Sequence, residues 1–187
     1  MTLISSPIDE RTVRGLKLGQ TVFLTGRMVT GRDAVHTRAL SSDGVTKVPE
    51  GATLFHCGPI VLREDDGWKV IAAGPTTSSR MDPCGAEMIR RHRIRAVIGK
   101  GGMSDEVLEE MGRTGCVYLA AVGGAAVSLA EGLNVIGVEW EDLGMAEAMW
   151  TFEAERFGPL IVAMDACGNS IYKDVRSKTF DNAGTQF

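Results

Sequence analysis

The chain has 187 residues, 44% of them hydrophobic and 24% charged, with a formal net charge of −4. That is the composition of a soluble α/β-sized domain with enough apolar mass for a real core, so residues 1–187 are read as one domain. The mild acidic balance excludes a general nucleic-acid binder, which would carry a basic face. No stretch supplies the roughly 20 apolar residues of a membrane helix. The start, Met1 to Pro7, lacks the basic and apolar runs of a secretory leader, so a cytoplasmic location is expected.

Residues 1–19 show no clear period and are expected to form an edge strand or an arm. Thr21 to Met28 is rich in β-branched and aromatic residues and reads as a strand. It ends at Val29-Thr30-Gly31-Arg32-Asp33. Ala34 to Leu40 then reads as a short helix that Thr30 or Asp33 would cap. A polar loop follows over Ser41 to Gly51, with turn chemistry at Asp43-Gly44 and Pro49. Thr53 to His56 is a short strand. Ile60 to Arg63 and Trp68 to Ala73 read as a hairpin around Glu64-Asp65-Asp66-Gly67.

The stretch from Ile71 to Met103 carries the strongest signals. The turn Gly74-Pro75-Thr76-Thr77-Ser78-Ser79-Arg80 sets four hydroxyls and a guanidinium before a helix over Met81 to Arg93. Asp82-Pro83 reads as its cap and first turn, which aims free amides and the positive helix end at the hydroxyls. A strand over Ala96 to Ile98 ends in Gly99-Lys100-Gly101-Gly102. If the strands preceding the two turns are sheet neighbours, Lys100 emerges beside Arg80, and together they make a site for a carboxylate or phosphate. Lys100 is followed by glycine rather than by Ser or Thr, so this is not a nucleotide-hydrolase phosphate loop.

Beyond it, Ser104 caps a helix to about Met111. Cys116 to Val122 is an apolar strand, Gly124 to Glu131 a helix and Leu133 to Val138 a strand. Leu143 to Phe157, charged and anchored by Trp150 and Phe152, reads as a surface helix. Leu160 to Asp165 is the last strand, and the polar tail from Asn169 reads as an arm wrapping a neighbour. The first third is thus strand-rich. The remainder alternates strand and helix, which implies α/β architecture with a mainly parallel sheet.

Three further features carry possible chemistry. Arg32 and Asp33 with His36 sit at another strand-to-helix turn. His56 precedes Cys57, but neighbours on a strand face opposite ways and do not meet. Cys57, Cys84, Cys116 and Cys167 are widely spaced, with no CxxC pair, and read as reduced, mostly buried thiols. A cysteine nucleophile lacks a Cys/His/acid arrangement.

The ordered segments GRDAVH, FHCGPIV, AAGPTTSSRMD, IGKGGM, AAVGGAA and EDLGMAEAMW resemble the C-terminal domain of class I fumarases, from about Thr21 to Tyr172. In many microbes that domain is a separate chain, the β subunit of fumarate hydratase or of L(+)-tartrate dehydratase. The resemblance implies a swivelling β/β/α domain. It also implies an iron–sulfur hydro-lyase, active only with its partner, that hydrates fumarate reversibly to (S)-malate. Tartrate dehydration to oxaloacetate, or a non-catalytic anion-binding module of the same fold, are the alternatives. It further implies a [4Fe-4S] cluster held by a partner α subunit, a heteromer with two copies of each chain as the family expectation, and a C4 dicarboxylate substrate. Residue by residue, Arg32, Arg80 and Lys100 are implied as carboxylate anchors and Thr76 or Thr77, with Thr76 ranked first by the family match, as the proton-transfer group. His36 is a further candidate in the substrate site.

Overall fold

The computed structural model describes residues 2–41, 47–65, 67–122 and 124–183, and side chains up to residue 177. Two long strands organise it, β2 (Thr21–Thr30) and β9 (Met149–Met164), which run antiparallel along one another. The other edge of β2 is shared. Strand β1 (Thr2–Ser6) pairs with Val22 to Gly26, and β3 (Thr53–Phe55) pairs with Val29 and Thr30, both parallel. The sheet continues in parallel from β3 through β6 (Ala96–Gly99) to β7 (Val117–Ala121), which meets the end of β9 antiparallel. Strands β2, β3, β6, β7 and β9 therefore close on themselves as a five-stranded barrel-like sheet. Strand β8 (Leu133–Glu139) extends it along the start of β9. A separate hairpin, β4 (Ile60–Glu64) with β5 (Gly67–Ala72), packs on it through an edge contact of Trp68 with Trp150, ring centroids 5.2 Å apart.

The period-2 alternation of strands sorts the apolar residues into two cores. Val22, Leu24, Phe55, Ile98, Leu119 and Leu160 belong to one, on the face that closure turns inward. Leu54, Val97, Tyr118 and Ala163 belong to the other. That second core packs under three crossover helices, α2 (Asp33–Leu40), α3 (Asp82–His92) and α4 (Asp105–Thr114), which contribute Val35, Met88 and Val107. Every crossover joins parallel strands, as the strand–helix alternation predicts. Ser104 caps α4 as expected, its hydroxyl accepting from the Val107 N–H. Among the described residues no helix is long and apolar enough to cross a membrane.

One expectation is sharpened and three change. The N-terminal segment is an edge strand, β1, followed by a short helix, α1 (Glu10–Gly15), started by the Asp9 carboxylate accepting from Thr12. The region expected as a surface helix is instead a 3-10 turn at Glu141–Leu143 and then the first half of β9. Trp150, Phe152 and Ala154 are buried while Thr151 and Glu153 between them are not, which is a strand alternation that its charges disguised. The tail is a helix, α6 (Ile171–Ala183), whose Tyr172 packs against Tyr118 and over Gly102. The predicted helix after β7 is short, α5 (Ala126–Ala130). The expected Asp43-Gly44 turn, and Asp66 within the hairpin turn, lie outside the described residues.

Candidate active site

Strands β2, β3 and β6 are parallel and adjacent, so their carboxyl ends share one edge, where ligands bind in α/β sheets. Residues 31–33, 56–58 and 100–102 leave from that edge. The strand before the hydroxyl turn, β5, is not a neighbour of β6, as the sequence reading supposed; it pairs only with β4. The turn reaches Lys100 by another route. Pro75 bridges Cys57, and the Thr76 N–H donates to the His56 carbonyl at 2.7 Å. The Lys100 N–H donates to the Thr76 carbonyl at 3.2 Å, and the Ser78 N–H donates to the Lys100 carbonyl at 3.0 Å. Residues 75–78 thus act as a short extra strand wedged between the extensions of β3 and β6. Unpaired backbone groups at those strand ends have this partner and no other need of one.

This wedge fixes which way the hydroxyls point. Ser78 is buried, whereas Thr77, Ser79 and Arg80 are exposed and Thr76 is half-buried. Thr77 lies opposite Lys100, which is also exposed. A 3-10 turn over Ser78–Met81 leads into α3, and the Asp82 N–H is taken by the Ser79 carbonyl. Asp82 is therefore not the cap; that position is Met81, without a side-chain hydrogen bond. Pro83 does occupy the first turn. The Asp82 carboxylate instead accepts from the Ser104 N–H at 3.0 Å, tying α3 to α4, and burial raises its pKa. With part of the helix end consumed in this way, positive charge at the ledge comes chiefly from side chains.

Those side chains are held by acids. Arg80 Nη2 pairs with Asp33 at 2.8 Å, both about half exposed. Arg32 Nε lies 3.2 Å from Glu147, whose second oxygen accepts from the Ala34 N–H at 3.1 Å. Glu147 therefore does the capping expected of Thr30 or Asp33; Arg32 occupies the cap position without a capping bond of its own. Thr30 is instead buried, its hydroxyl accepting from the Trp150 N–H. Gly58 makes room for the guanidinium, since a Cβ there would sit 2.6 Å from Arg32 Nη1. His36 is buried behind the ledge, its Nδ1 donating to the Arg32 carbonyl at 2.9 Å. Its pKa is lowered, chiefly by burial. Its ring lies 5.2 Å from that of His56, whose pKa burial pushes well below the usual value.

Arg32, Arg80, Lys100, Thr76 and Thr77 therefore gather along one sheet edge, with His36 beneath. The open ledge can take carboxylates, since guanidinium forks match their geometry and the hydroxyls add donors. Sequence reasoning missed Glu147 and Tyr118, and it placed Ser78 among the site hydroxyls rather than in the core. Ser78 bonds to His56 and Tyr118 in the core below, and the only local hint was the hydroxyl-rich turn itself.

The thiols do not form a cluster site. Cys57 and Cys116 are buried in different cores, and burial pushes the Cys57 thiol up to about 12 and raises Cys116 further. Cys84 is half-buried on α3 and also raised by burial, and Cys167 is exposed after β9. Among the described residues no three His, Cys, Asp or Glu converge as an ion-binding set. Thiolates are the ligands of iron–sulfur clusters, so these residues do not fit one.

The fold and this ledge define an α/β module with three cations and several hydroxyls gathered at one strand edge. A family model described as the fumarase C-terminus matches residues 2–175, and the chain belongs to that family. It is 39% identical over 180 residues to a provisionally named L(+)-tartrate dehydratase subunit β of Methanocaldococcus jannaschii, covering 93% of this chain and 92% of that protein. It is 34% identical over 173 residues to the L(+)-tartrate dehydratase subunit β of Escherichia coli K12, covering 90% and 85%. A provisionally named class I fumarate hydratase of Geobacillus stearothermophilus is 38% identical over 180 residues, 95% of this chain but 35% of that longer protein.

Proposed function

We propose that this chain is the β subunit of an iron–sulfur hydro-lyase that hydrates fumarate reversibly to (S)-malate. The observation that supports this most is the ledge itself. Arg32, Arg80 and Lys100 border exposed hydroxyls at the carboxyl edge of three parallel strands, in a chain whose relatives are named as hydro-lyases. A C4 dicarboxylate has two anions to fix, and two guanidiniums and an ammonium can fix both. The same cations stabilise the charge that builds on a carboxylate when the neighbouring carbon loses its proton.

In this reading Arg32, Arg80 and Lys100 anchor substrate and a threonine hydroxyl moves the proton. Exposure favours Thr77 over the half-buried Thr76, and Lys100 stands opposite Thr77. A hydroxyl is a weak base unless neighbouring positive charge and a partner carboxylate adjust it, and Arg80 and Lys100 are the cations nearest in this reading. His36 supports the Arg32 backbone from below.

The [4Fe-4S] cluster of the class is assigned to a partner α subunit, because the cysteines here do not converge. The working enzyme is then a heteromer, two copies of each, with residues 1–187 as one swivelling β/β/α domain that brings its ledge to the partner. It is placed in the cytoplasm. Tartrate dehydration to oxaloacetate is the second reading, favoured because the relatives of matching length carry that name.

The subunit reading is tested by assaying the purified, iron-free chain beside the complex co-purified with its natural α partner. The chain alone is expected to be inactive with every C4 acid, and turnover by it would overturn the reading.

A further inference from the structure

Directly beneath the ledge three polar side chains are wholly buried. His56 is 1% exposed, and Ser78 and Tyr118 are 0%. The Ser78 hydroxyl lies 2.8 Å from His56 Nδ1 and 2.9 Å from the Tyr118 hydroxyl. Burial raises the pKa of the Tyr118 phenol, and the Gly102 backbone, on the Tyr118 side of the arrangement, lowers it slightly against that larger effect. Either hydroxyl of the Ser78–Tyr118 pair can donate, and the role of His56 Nδ1 depends on its tautomer. In the direction taken here, Tyr118 donates to Ser78, Ser78 donates to His56 Nδ1 and His56 carries its proton on Nε2. That nitrogen is buried and unpartnered. Gly99 is bare to admit the arrangement, since a Cβ there would lie 2.0 Å from Ser78 Oγ and 2.9 Å from the Tyr118 oxygen.

Three buried polar groups are a costly way to fill space, because apolar residues of similar size pack there without needing partners. What they secure is geometry. The network runs from β7 through the hydroxyl turn to the strand end after β3, so it ties two of the segments that carry the ledge to each other and to the sheet beneath. Within the turn it takes hold of Ser78, the inward residue between the outward Thr77 and the Ser79-Arg80 pair.

We propose that the Tyr118–Ser78–His56 chain is the positioning device of the active site: it fixes the rotation of the 76–80 turn, so that Thr77 and Arg80 meet the substrate at Lys100. These are positioning residues; none of the three reaches the surface. The inference rests on the hydro-lyase reading for its activity readout and on geometry alone for its spectroscopic one.

The test uses the complex purified with its natural partner, with Tyr118→Phe, Ser78→Ala, His56→Asn and His56→Leu in this chain. The expected result is assembled, folded Tyr118→Phe and Ser78→Ala complexes whose kcat falls on the order of a hundredfold, as for a misplacement of about 1 Å, with KM changed far less. His56→Asn, which sets an amide near the Nδ1 position, is expected to recover much of what His56→Leu loses. Wild-type kcat and KM in folded Tyr118→Phe and Ser78→Ala, or His56→Asn no better than His56→Leu, would overturn the proposal.

Nitrogen-15 spectra of the full chain supply the second arm. They are expected to show His56 neutral with its proton on Nε2, and to lose that preference in Ser78→Ala. A proton on Nδ1, or spectra unmoved by Ser78→Ala, would overturn the relay. If the wild-type complex turns over no C4 acid, the functional reading fails and the spectra alone decide the relay.

Discussion

Arg80 commits one nitrogen of its guanidinium to Asp33 and leaves the rest of its fork open at the ledge. Arg80→Ala is expected to lower kcat on the order of a hundredfold or more, as removal of a preorganised donor does, while the complex still assembles. Arg80→Lys is expected to restore little, because an ammonium cannot hold Asp33 and a substrate carboxylate in one plane. Steady-state assay of the purified complex checks both, and wild-type turnover in Arg80→Ala would mean the site lies elsewhere. Gly99→Ala is expected to cost about 2 kcal/mol, the scale of overpacking, since its Cβ would meet Ser78 Oγ at 2.0 Å. Urea unfolding measures it. At this scale the cations were legible, because GRD, TTSSR and GKGG each sit at a strand-to-turn junction. Glu147 was not. It reaches Arg32 and Ala34 only after β9 has folded along β2, and no local pattern encodes a contact across 115 residues.

Among the elements, β9 is where local reading and tertiary structure part. The run Trp150 to Phe157 carries charge at Glu153, Glu155 and Arg156, which suits a surface helix, but burial alternates residue by residue from Trp150 to Glu155. Helical and strand periods compete over so short a run, and pairing with β2 on one edge and β8 on the other decides. Phe152, fully buried between them, is the anchor. Phe152→Ala is expected to cost about 4 kcal/mol. A loss below about 1 kcal/mol in the unfolding midpoint would show that the strand does not depend on it. The hairpin, α2 and α3 were legible to within a residue of their bounds, and α4 was legible from its Ser104 cap although it runs three residues further than expected. The wedge formed by residues 75–78 was not, because a strand extension made of one hydroxyl turn has no periodicity to read. Its consequence, Lys100 beside Thr77, was reached in the sequence from a supposed β5–β6 pairing that does not exist.

For the molecule as a whole, all three histidines have pKa values lowered first by burial. The sign of the pH dependence follows. Below the ordinary value of 6.5 the unfolded chain binds protons that the folded chain refuses, so stability rises with pH through that window. The full contribution is present above 6.5 and is lost as pH falls from there toward the lowered folded values. Urea midpoints are expected to drop between pH 7.5 and 5.5, and His56→Asn is expected to flatten part of that slope. A midpoint that rises on acidification would contradict the buried, neutral imidazoles. The global features legible in the sequence were the strand–helix alternation and the parallel sheet. Closure of five strands was not legible, because it depends on one antiparallel strand, β9, bridging β7 back to β2.

The central claim is that this ledge works on a C4 dicarboxylate as half of a two-chain hydro-lyase. Its most direct test is an anaerobic assay of the chain co-purified with its natural α partner, fed fumarate, L-tartrate and mesaconate in parallel. The account predicts turnover with fumarate preferred. Preference for tartrate would keep the anchoring residues and change the reaction to tartrate dehydration, whereas no turnover of any of the three, with the partner's cluster intact, would contradict it.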